Sequence, residues 1–487
     1  QPALQSVTLA ALLVPALVAY SRFRVDGLVI AFLVCQSLVH LMKRAIFLFG
    51  PQTQAVYFGV QLLPTVILVM LIVVVVRESR GMRLPASGRL LGAYVALAAV
   101  TTLVSLGRRP WMDVMASIHQ QLLPFTLFYA GLLLTPGKFA RVGRTMAILA
   151  AVSVLYGFLQ LVGGPTAVDR AWAHETYSYS LHGSKVFAYL GGGTSDFRSY
   201  SYYADPLTWG FFLLAGMLGA TVARLLGRMS RVLVAGVILL SLSGLFFSLT
   251  RTVWAGLAAM LGAFWLLRYR SLRRPWQVFA LVLGSFAAAV MMGDLLYREL
   301  FLAQRMPVVQ SQIAARYLTV GTIEARTSAW NSLREVTAAN PLWGNGYAVM
   351  YSANRSGAAA KQRGVPFSHN FLVELVFNVG VPGALLFLWF LYQWLSEGLL
   401  VLRRSQDKAV RRMAHCVIAF IVGQVVTGYL NGPSFMTGEF FLVAGVLAAL
   451  AVRSAETQPA GRRVRHSERR PVWAMEPARA LGRQAMG

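Results

Sequence analysis

The sequence predicts an all-α polytopic membrane protein with about 12–13 transmembrane helices and a long, partly helical extracytoplasmic loop. Three observations predict it. Of 487 residues, 57% are hydrophobic and 13% are charged, where a soluble domain carries about 25% charged residues. Apolar runs near the roughly 20 residues that span hydrocarbon recur along the chain. Positive charge sits in alternate connections between those runs, the pattern of cytoplasmic loops.

The runs follow in order. Ala3–Tyr20 reads as an ordinary first span rather than a signal-peptide core, because no basic residue precedes it, although the chain begins at Gln1 rather than methionine. Next come Gly27–Met42, the charge-free run Ala55–Val76, Leu90–Leu106, Leu122–Leu134 and Thr145–Val162. Leu207–Ala223, Val232–Leu249, Thr252–Leu267 and Gln277–Gly293 form the middle group. Pro382–Leu402, Met413–Leu430 and Phe440–Val452 close the series. No internal repeat and no Ser-, Pro- or Gly-rich linker interrupts it, so residues 1–452 read as a single membrane domain. The two cysteines, Cys35 and Cys416, fall inside apolar runs and read as small packing residues rather than a disulfide.

The net charge of +27 is distributed unevenly. One set of connections holds Arg22 and Arg24, then Arg77 to Arg89, Lys138 to Arg144, Arg224 to Arg231, Arg268 to Arg274, and Arg403 to Arg412. The opposite short connections hold only Lys43, Arg44, Arg108, Arg109 and Arg251. The first set therefore faces the cytoplasm. The basic segment 453–487 continues it and reads as a disordered cytoplasmic tail on the anionic inner leaflet, not as a nucleic-acid arm. The two longest polar intervals, about 163–206 and 294–381, then lie outside the cytoplasm. A transfer reaction there has no access to ATP or nucleotide sugars and needs a substrate that arrives already activated through the lipid phase.

The polar intervals hold the candidate chemistry. Gly191-Gly192-Gly193 is a turn or loop and not a phosphate loop, since no Lys-Ser/Thr pair follows. Arg198 stands among tyrosines shortly before the next span, as a snorkelling residue in an aromatic belt or as a ligand. Arg251, in Ser248-Leu249-Thr250-Arg251-Thr252, occupies a very short break between two spans. A charge so close to hydrocarbon either snorkels in a tight turn or binds an anion at the outer face. Trp330, Leu333 and Val336 are spaced as on an amphipathic helix that includes Arg326 and lies on the membrane. Asn340-Pro341 stops that helix, and Leu342-Trp343-Gly344-Asn345-Gly346-Tyr347 makes a glycine turn. A basic, alanine-rich loop leads to Phe367-Ser368-His369-Asn370-Phe371, and an apolar helix bearing Glu374 follows as far as the break at Gly380-Val381-Pro382-Gly383. His369 is the group whose charge changes most readily near neutral pH. The other six histidines lack a comparable setting and read as structural or solvated.

Taken together, these residues resemble the shared region of O-antigen ligases, O-antigen polymerases and related oligosaccharyltransferases. The resemblance rests on Arg326 and Trp330 at Arg-x-x-x-Trp spacing, the turn Pro341–Tyr347, the pair His369-Asn370, and the glycine-broken helix at Gly380–Gly383. It covers roughly Ser195–Gly383 and implies transfer of a glycan from an undecaprenyl-diphosphate-linked donor. It implies that Arg198, Arg251 and Arg326 bind the donor diphosphate, that His369 is catalytic, and that Asn370 and Glu374 support it.

The chemistry suits these residues. A departing diphosphate needs preorganised cations, and the planar arginine fork binds phosphate oxygens bidentately. A sugar hydroxyl is a poor nucleophile and gains from a base such as His369, which removes its proton or orients it. Glu374 either orients His369, pairs with an arginine, or is an interfacial charge at a helix end. With 18 acidic residues in the chain and no Asp-x-Asp pair in the outer loops, arginines rather than a divalent metal are expected to neutralise the diphosphate. No cofactor and no nucleic-acid partner is expected. The reading is a metal-independent O-antigen ligase-type enzyme of the bacterial inner membrane, with its active site on the periplasmic side and lipid A-core as acceptor. An O-antigen or exopolysaccharide polymerase, a protein O-oligosaccharyltransferase and a lipid-linked glycan transporter are the alternatives. A secondary transporter would instead show paired interrupted helices or mid-span charges.

Overall fold

The computed structural model describes residues 22, 24–49, 54–104, 111–162, 201, 203, 206–248, 250–268, 337–338, 340–347, 370–431 and 437–456. Among these residues every regular element is a helix, as an apolar chain without water to satisfy its backbone requires. In order they are α1 (Val25–Phe49), α2 (Gln54–Glu78), α3 (Ala86–Val104), α4 (Trp111–Ser117), α5 (Thr126–Leu133), α6 (Pro136–Val162), α7 (Pro206–Leu225), α8 (Arg231–Phe247), α9 (Arg251–Arg268), α10 (Phe371–Arg404), α11 (Lys408–Asn431) and α12 (Gly438–Glu456). Among the described residues seven helices, α1, α3, α6, α7, α10, α11 and α12, are long and apolar enough to cross a membrane. The chain is an all-α, multi-pass membrane protein.

Small residues bring the helices together, as expected where lipid removes the hydrophobic drive between helices. Gly143 of α6 and Gly219 of α7 touch backbone to backbone, and a Cβ on Gly143 would stand 2.8 Å from Gly219 O. Gly423 of α11 meets Gly256 of α9 in the same way, at 2.6 Å from Gly256 O. Gly131 of α5 lies against the backbone of α12 at Gly445. Where glycines are absent, aromatics interlock. Tyr94 of α3 lies 5.0 Å from Phe387 of α10, and Phe128 of α5 lies 5.8 Å from Phe390 of α10. The outward faces are apolar too: Val66, Val69, Val73 and Val76 run as an exposed stripe along α2, while Ile67, Leu68 and Leu71 are buried. That is the pattern of a helix with protein on one side and lipid on the other.

Contacts between helix ends make the two ends of the bundle distinct. Cross-links near the basic end include the Arg141–Asp26 ion pair at 2.8 Å. Glu397 caps the start of α3 there, accepting from Ser87 N at 3.0 Å and Ser87 Oγ at 2.5 Å, and Arg453 donates to Leu134 O at 3.2 Å. The starts of α7, α9 and α10, and the turn at 340–347, lie at the opposite end.

The largest differences between helix boundaries and apolar runs fall in four places, each where polar residues continue a helix. Helix α1 runs past Met42 to Phe49 and carries Lys43 and Arg44 inside the protein, at 3% and 2% exposure. The run Leu122–Leu134 is the second half of a longer descent that begins at Trp111, because Asp113, His119 and Gln120 dilute its first half. That descent passes from α4 through a π-helical turn (Ile118–Leu122) and a 3₁₀ turn (Leu123–Phe125) to α5. Pro124 has no N–H to return to residue 120, which accounts for the irregular turn. Helix α6 begins at Pro136 rather than Thr145, and α10 at Phe371 rather than Pro382. The runs Ala3–Tyr20 and Gln277–Gly293 and the tail beyond residue 456 lie outside the described residues.

Candidate functional site

Helix α10 is 34 residues long, more than a hydrocarbon core of about 30 Å accommodates at 1.5 Å per residue. It is two helices joined at Gly380, whose φ of 71° and ψ of 178° no helix contains. In an unbroken helix, Phe377 O and Asn378 O would accept from residues 381 and 382. Residue 382 is proline and has no N–H, and the turn at Gly380 carries the Val381 N–H away. The segment 340–347 supplies the missing partners. Asn345 N donates to Phe377 O at 2.8 Å, Gly346 N donates to Asn378 O at 2.9 Å, and Val381 N donates to Pro341 O at 2.8 Å. The glycine turn and the glycine break are therefore two halves of one clasp. Its closeness needs glycine on both sides: a Cβ on Gly344 would lie 2.5 Å from Gly380 N, and one on Gly380 would lie 2.6 Å from Leu342 C.

Tyr347 pins the clasp to α3. Its N–H reaches Thr102 Oγ1 at 3.4 Å, and its hydroxyl lies 2.5 Å from that of Tyr94, with both rings buried. Burial pushes the Tyr347 phenol up to about 12; the Tyr94 bond pulls it down, and the Glu374 carboxylate adds to the rise. Glu374 is 1% exposed. It is an interior carboxylate facing the clasp, not an exposed charge at a helix end.

Asn370 is the N-cap of α10. Its backbone is extended (φ −140°, ψ 116°), and its side-chain oxygen accepts from Leu372 N at 3.0 Å and Val373 N at 3.3 Å. Asparagine at this position thus has a physical reason: it starts the helix. His369 itself, like Arg198 and Arg326, lies outside the described residues.

Arg251 is the first residue of α9, and its side chain is not described. The turn before it is interior: Ser248 and Thr250 are 0% and 6% exposed, and Thr250 Oγ1 donates to Ser248 O at 3.1 Å. Two residues after Arg251, Val253 packs on Gly210 in the first turns of α7, where a Cβ would meet Val253 Cγ2 at 2.8 Å. The starts of α9 and α7 are thereby neighbours. The structure brings Asn370, Glu374 and the 340–347 turn into one cluster, and the starts of α7 and α9 into another. Both lie at the end of the bundle opposite the basic one.

Arg44 is a residue that the sequence reading assigned only to a short connection. Its guanidinium donates to Ser201 O at 2.8 Å and to Tyr203 O at 2.9 Å, just ahead of α7. The available signal was a Lys-Arg pair interrupting an apolar helix, since charge in such a place is retained for a use. Among the described residues, no three of His, Cys, Asp and Glu come together as metal ligands.

Residues 236–388 match the family model described as O-antigen ligase. The match runs from within α8 through α9 and the 340–347 turn to just past the break in α10, so it contains Arg251, Arg326, His369, Asn370, Glu374 and both halves of the clasp. No curated protein gives a significant match. The likeness to the O-antigen ligase family is thus confined to residues 236–388, which hold the clasp and the start of α9.

Proposed function

We propose that this protein transfers a glycan from an undecaprenyl-diphosphate donor to a hydroxyl of lipid A-core at the periplasmic face of the inner membrane. The observation that carries the reading is the clasp. Within the family-matched stretch, it holds the first part of α10, which Asn370 caps, against α3. In the reaction the acceptor oxygen forms a bond to the anomeric carbon, and the bond from that carbon to the diphosphate oxygen breaks. His369 takes the hydroxyl proton. Undecaprenyl diphosphate leaves with the electron pair, its charge held by Arg198, Arg251 and Arg326. No acid is needed, because a diphosphate is already a good leaving group. The arginine surplus and the 18 acidic residues of the chain favour a metal-independent reaction.

A polymerase that uses a second lipid-linked repeat as acceptor would share the same motifs and the same proton and charge chemistry. The lipopolysaccharide bands of a strain lacking the protein separate the two. Core without O-chain is expected for the ligase, core with a single repeat indicates the polymerase, and unchanged bands remove lipopolysaccharide as the product.

A further inference from the structure

We infer that the membrane is the third partner of the clasp. Leu342 and Trp343, at the tip of the 340–347 turn, dock on lipid at the hydrocarbon boundary, at the end of the bundle opposite the basic one, and this docking helps to hold the clasp shut. The inference stands on geometry and does not need the functional reading above. The turn is closed by Gly344 N, which donates to Asn340 O at 3.0 Å. Its inner edge lies on the break in α10, where Val381 N donates to Pro341 O and Leu342 O abuts Gly380. The two large apolar side chains are turned the other way. Leu342 is 64% and Trp343 is 68% exposed, whereas Gly346 and Tyr347 are buried. With the backbone pinned on α10, the exposed pair cannot withdraw.

The surroundings identify the partner. Below the break, Val381, Leu385, Trp389 and Tyr392 of α10 are all exposed and fall at helical spacing on one face. Beside the turn, Val100 and Val104 at the end of α3 are exposed as well, and α3 touches the turn where a Cβ on Gly346 would stand 2.8 Å from Thr101 O. Leu342 and Trp343 therefore extend the lipid-facing surface of two membrane helices. Depth agrees. The basic pair Arg403-Arg404 ends α10, and counting back from it to Val381 at 1.5 Å per residue gives about 33 Å, against a hydrocarbon core of about 30 Å. The break, and the turn seated on it, thus lie at the level where acyl chain meets headgroup. Tryptophan concentrates at that level because its ring is apolar and its N–H is polar. An exposed apolar pair continuous with lipid-facing helices marks an interaction surface, and at this depth the partner is the bilayer.

The test places a nitroxide on Leu342→Cys in the full chain, in nanodiscs of phosphatidylcholine and phosphatidylglycerol; Cys35 and Cys416 are buried and need no replacement. Collisions with oxygen, which concentrates in lipid, are compared with collisions with a nickel chelate, which stays in water. Leu385→Cys, on the exposed stripe of α10, is the lipid reference. Gln406→Cys, exposed between α10 and α11, is the water reference. The label at 342 should be open to oxygen and shielded from nickel, and shallower than the label at 385. The second readout is hydrogen exchange in peptides covering 340–347 and 376–383. The double variant Leu342→Ser/Trp343→Ser should speed it about tenfold in nanodiscs, since two large apolar side chains lose their burial. Trp389→Ala, on the stripe below the break, should leave it unchanged. A label at 342 as open to nickel as the one at 406 overturns the inference, because the tip then faces water. A label shielded from both reagents also overturns it, because protein, from this chain or a second copy, then covers the tip. Exchange as slow in the double variant as in the wild type overturns the bracing role of lipid, and so does equal acceleration by Trp389→Ala, which marks a general loosening of the helix.

Discussion

Replacing Gly380 with alanine should open the clasp while leaving the membrane helices in place. Two contributions can be worked from the structure. The backbone at Gly380, φ 71° and ψ 178°, belongs to a region essentially reserved for glycine, and imposing it on alanine costs about 1–3 kcal/mol. The new Cβ would also press on Leu342 O and stand 2.6 Å from Leu342 C and 3.0 Å from Gly344 N. These are backbone atoms, so no rotamer change relieves the clash, and the turn must move away. Moving it breaks the bonds from Asn345 N, Gly346 N and Val381 N, each worth about 1 kcal/mol net. Those bonds are lost on opening in wild type and variant alike, so the shift in the closed-to-open ratio comes from the strain and the clash: about 1–3 kcal/mol from the backbone alone, roughly 5- to 150-fold, and more with the clash. Hydrogen exchange followed by mass spectrometry reads this directly, in peptides covering 340–347 and 376–383. Glycan transfer by the same preparation should fall with the closed fraction. Gly262→Ala is the control, because a Cβ there meets nothing within 4 Å. If Gly380→Ala exchanges these amides as slowly as the wild type does, the clasp does not hold the helix break and the reasoning fails.

Asn370→Asp should keep near-normal transfer because a carboxylate caps as well, whereas Asn370→Ala should destabilise the start of α10 by about 1 kcal/mol and lower transfer; equal losses in a transfer assay would mean that Asn370 acts by something other than capping. Arg251→Ala should weaken retention of a labelled polyprenyl-diphosphate donor, and Arg251→Lys should restore it only in part, since the charge returns without the fork; full rescue by lysine would show that charge alone suffices. Cysteines at Ser184 and Ser356 should react with a membrane-impermeant thiol reagent in intact spheroplasts and one at Ser467 should not; the reverse pattern would invert the orientation and the mechanism with it.

Among the described residues, hydrophobic runs were enough to locate the membrane helices, because a bilayer imposes one rule on every span. They were insufficient wherever protein, not lipid, surrounds the helix. Lys43 and Arg44 end an apolar window, yet α1 continues because the partners of Arg44 lie 157 and 159 residues further along the chain, a distance no local pattern reports. The polar first half of the Trp111–Leu133 descent was lost for the same reason. The break at Gly380–Gly383 and the turn at 341–347 were both legible from glycine and proline. What the sequence could not state is that each supplies the hydrogen bonds the other lacks. The capping role of Asn370 has a local cause and could have been found from its place before an apolar helix. The interior position of Glu374 could not, since it depends on Tyr347 and α3 packing over it.

The central claim is that a histidine at the mouth of α10, served by arginines and no metal, drives the transfer. The direct measurement uses purified protein in nanodiscs with labelled undecaprenyl-diphosphate glycan and acceptor, in excess EDTA, with donor retention and transfer read separately. The account predicts that the wild type transfers in EDTA, and that His369→Ala retains donor but transfers roughly 10²–10⁴-fold more slowly, the usual worth of a positioned base. Near-normal transfer by folded His369→Ala, or wild-type transfer that stops in EDTA and returns with Mg²⁺ or Mn²⁺, would contradict it.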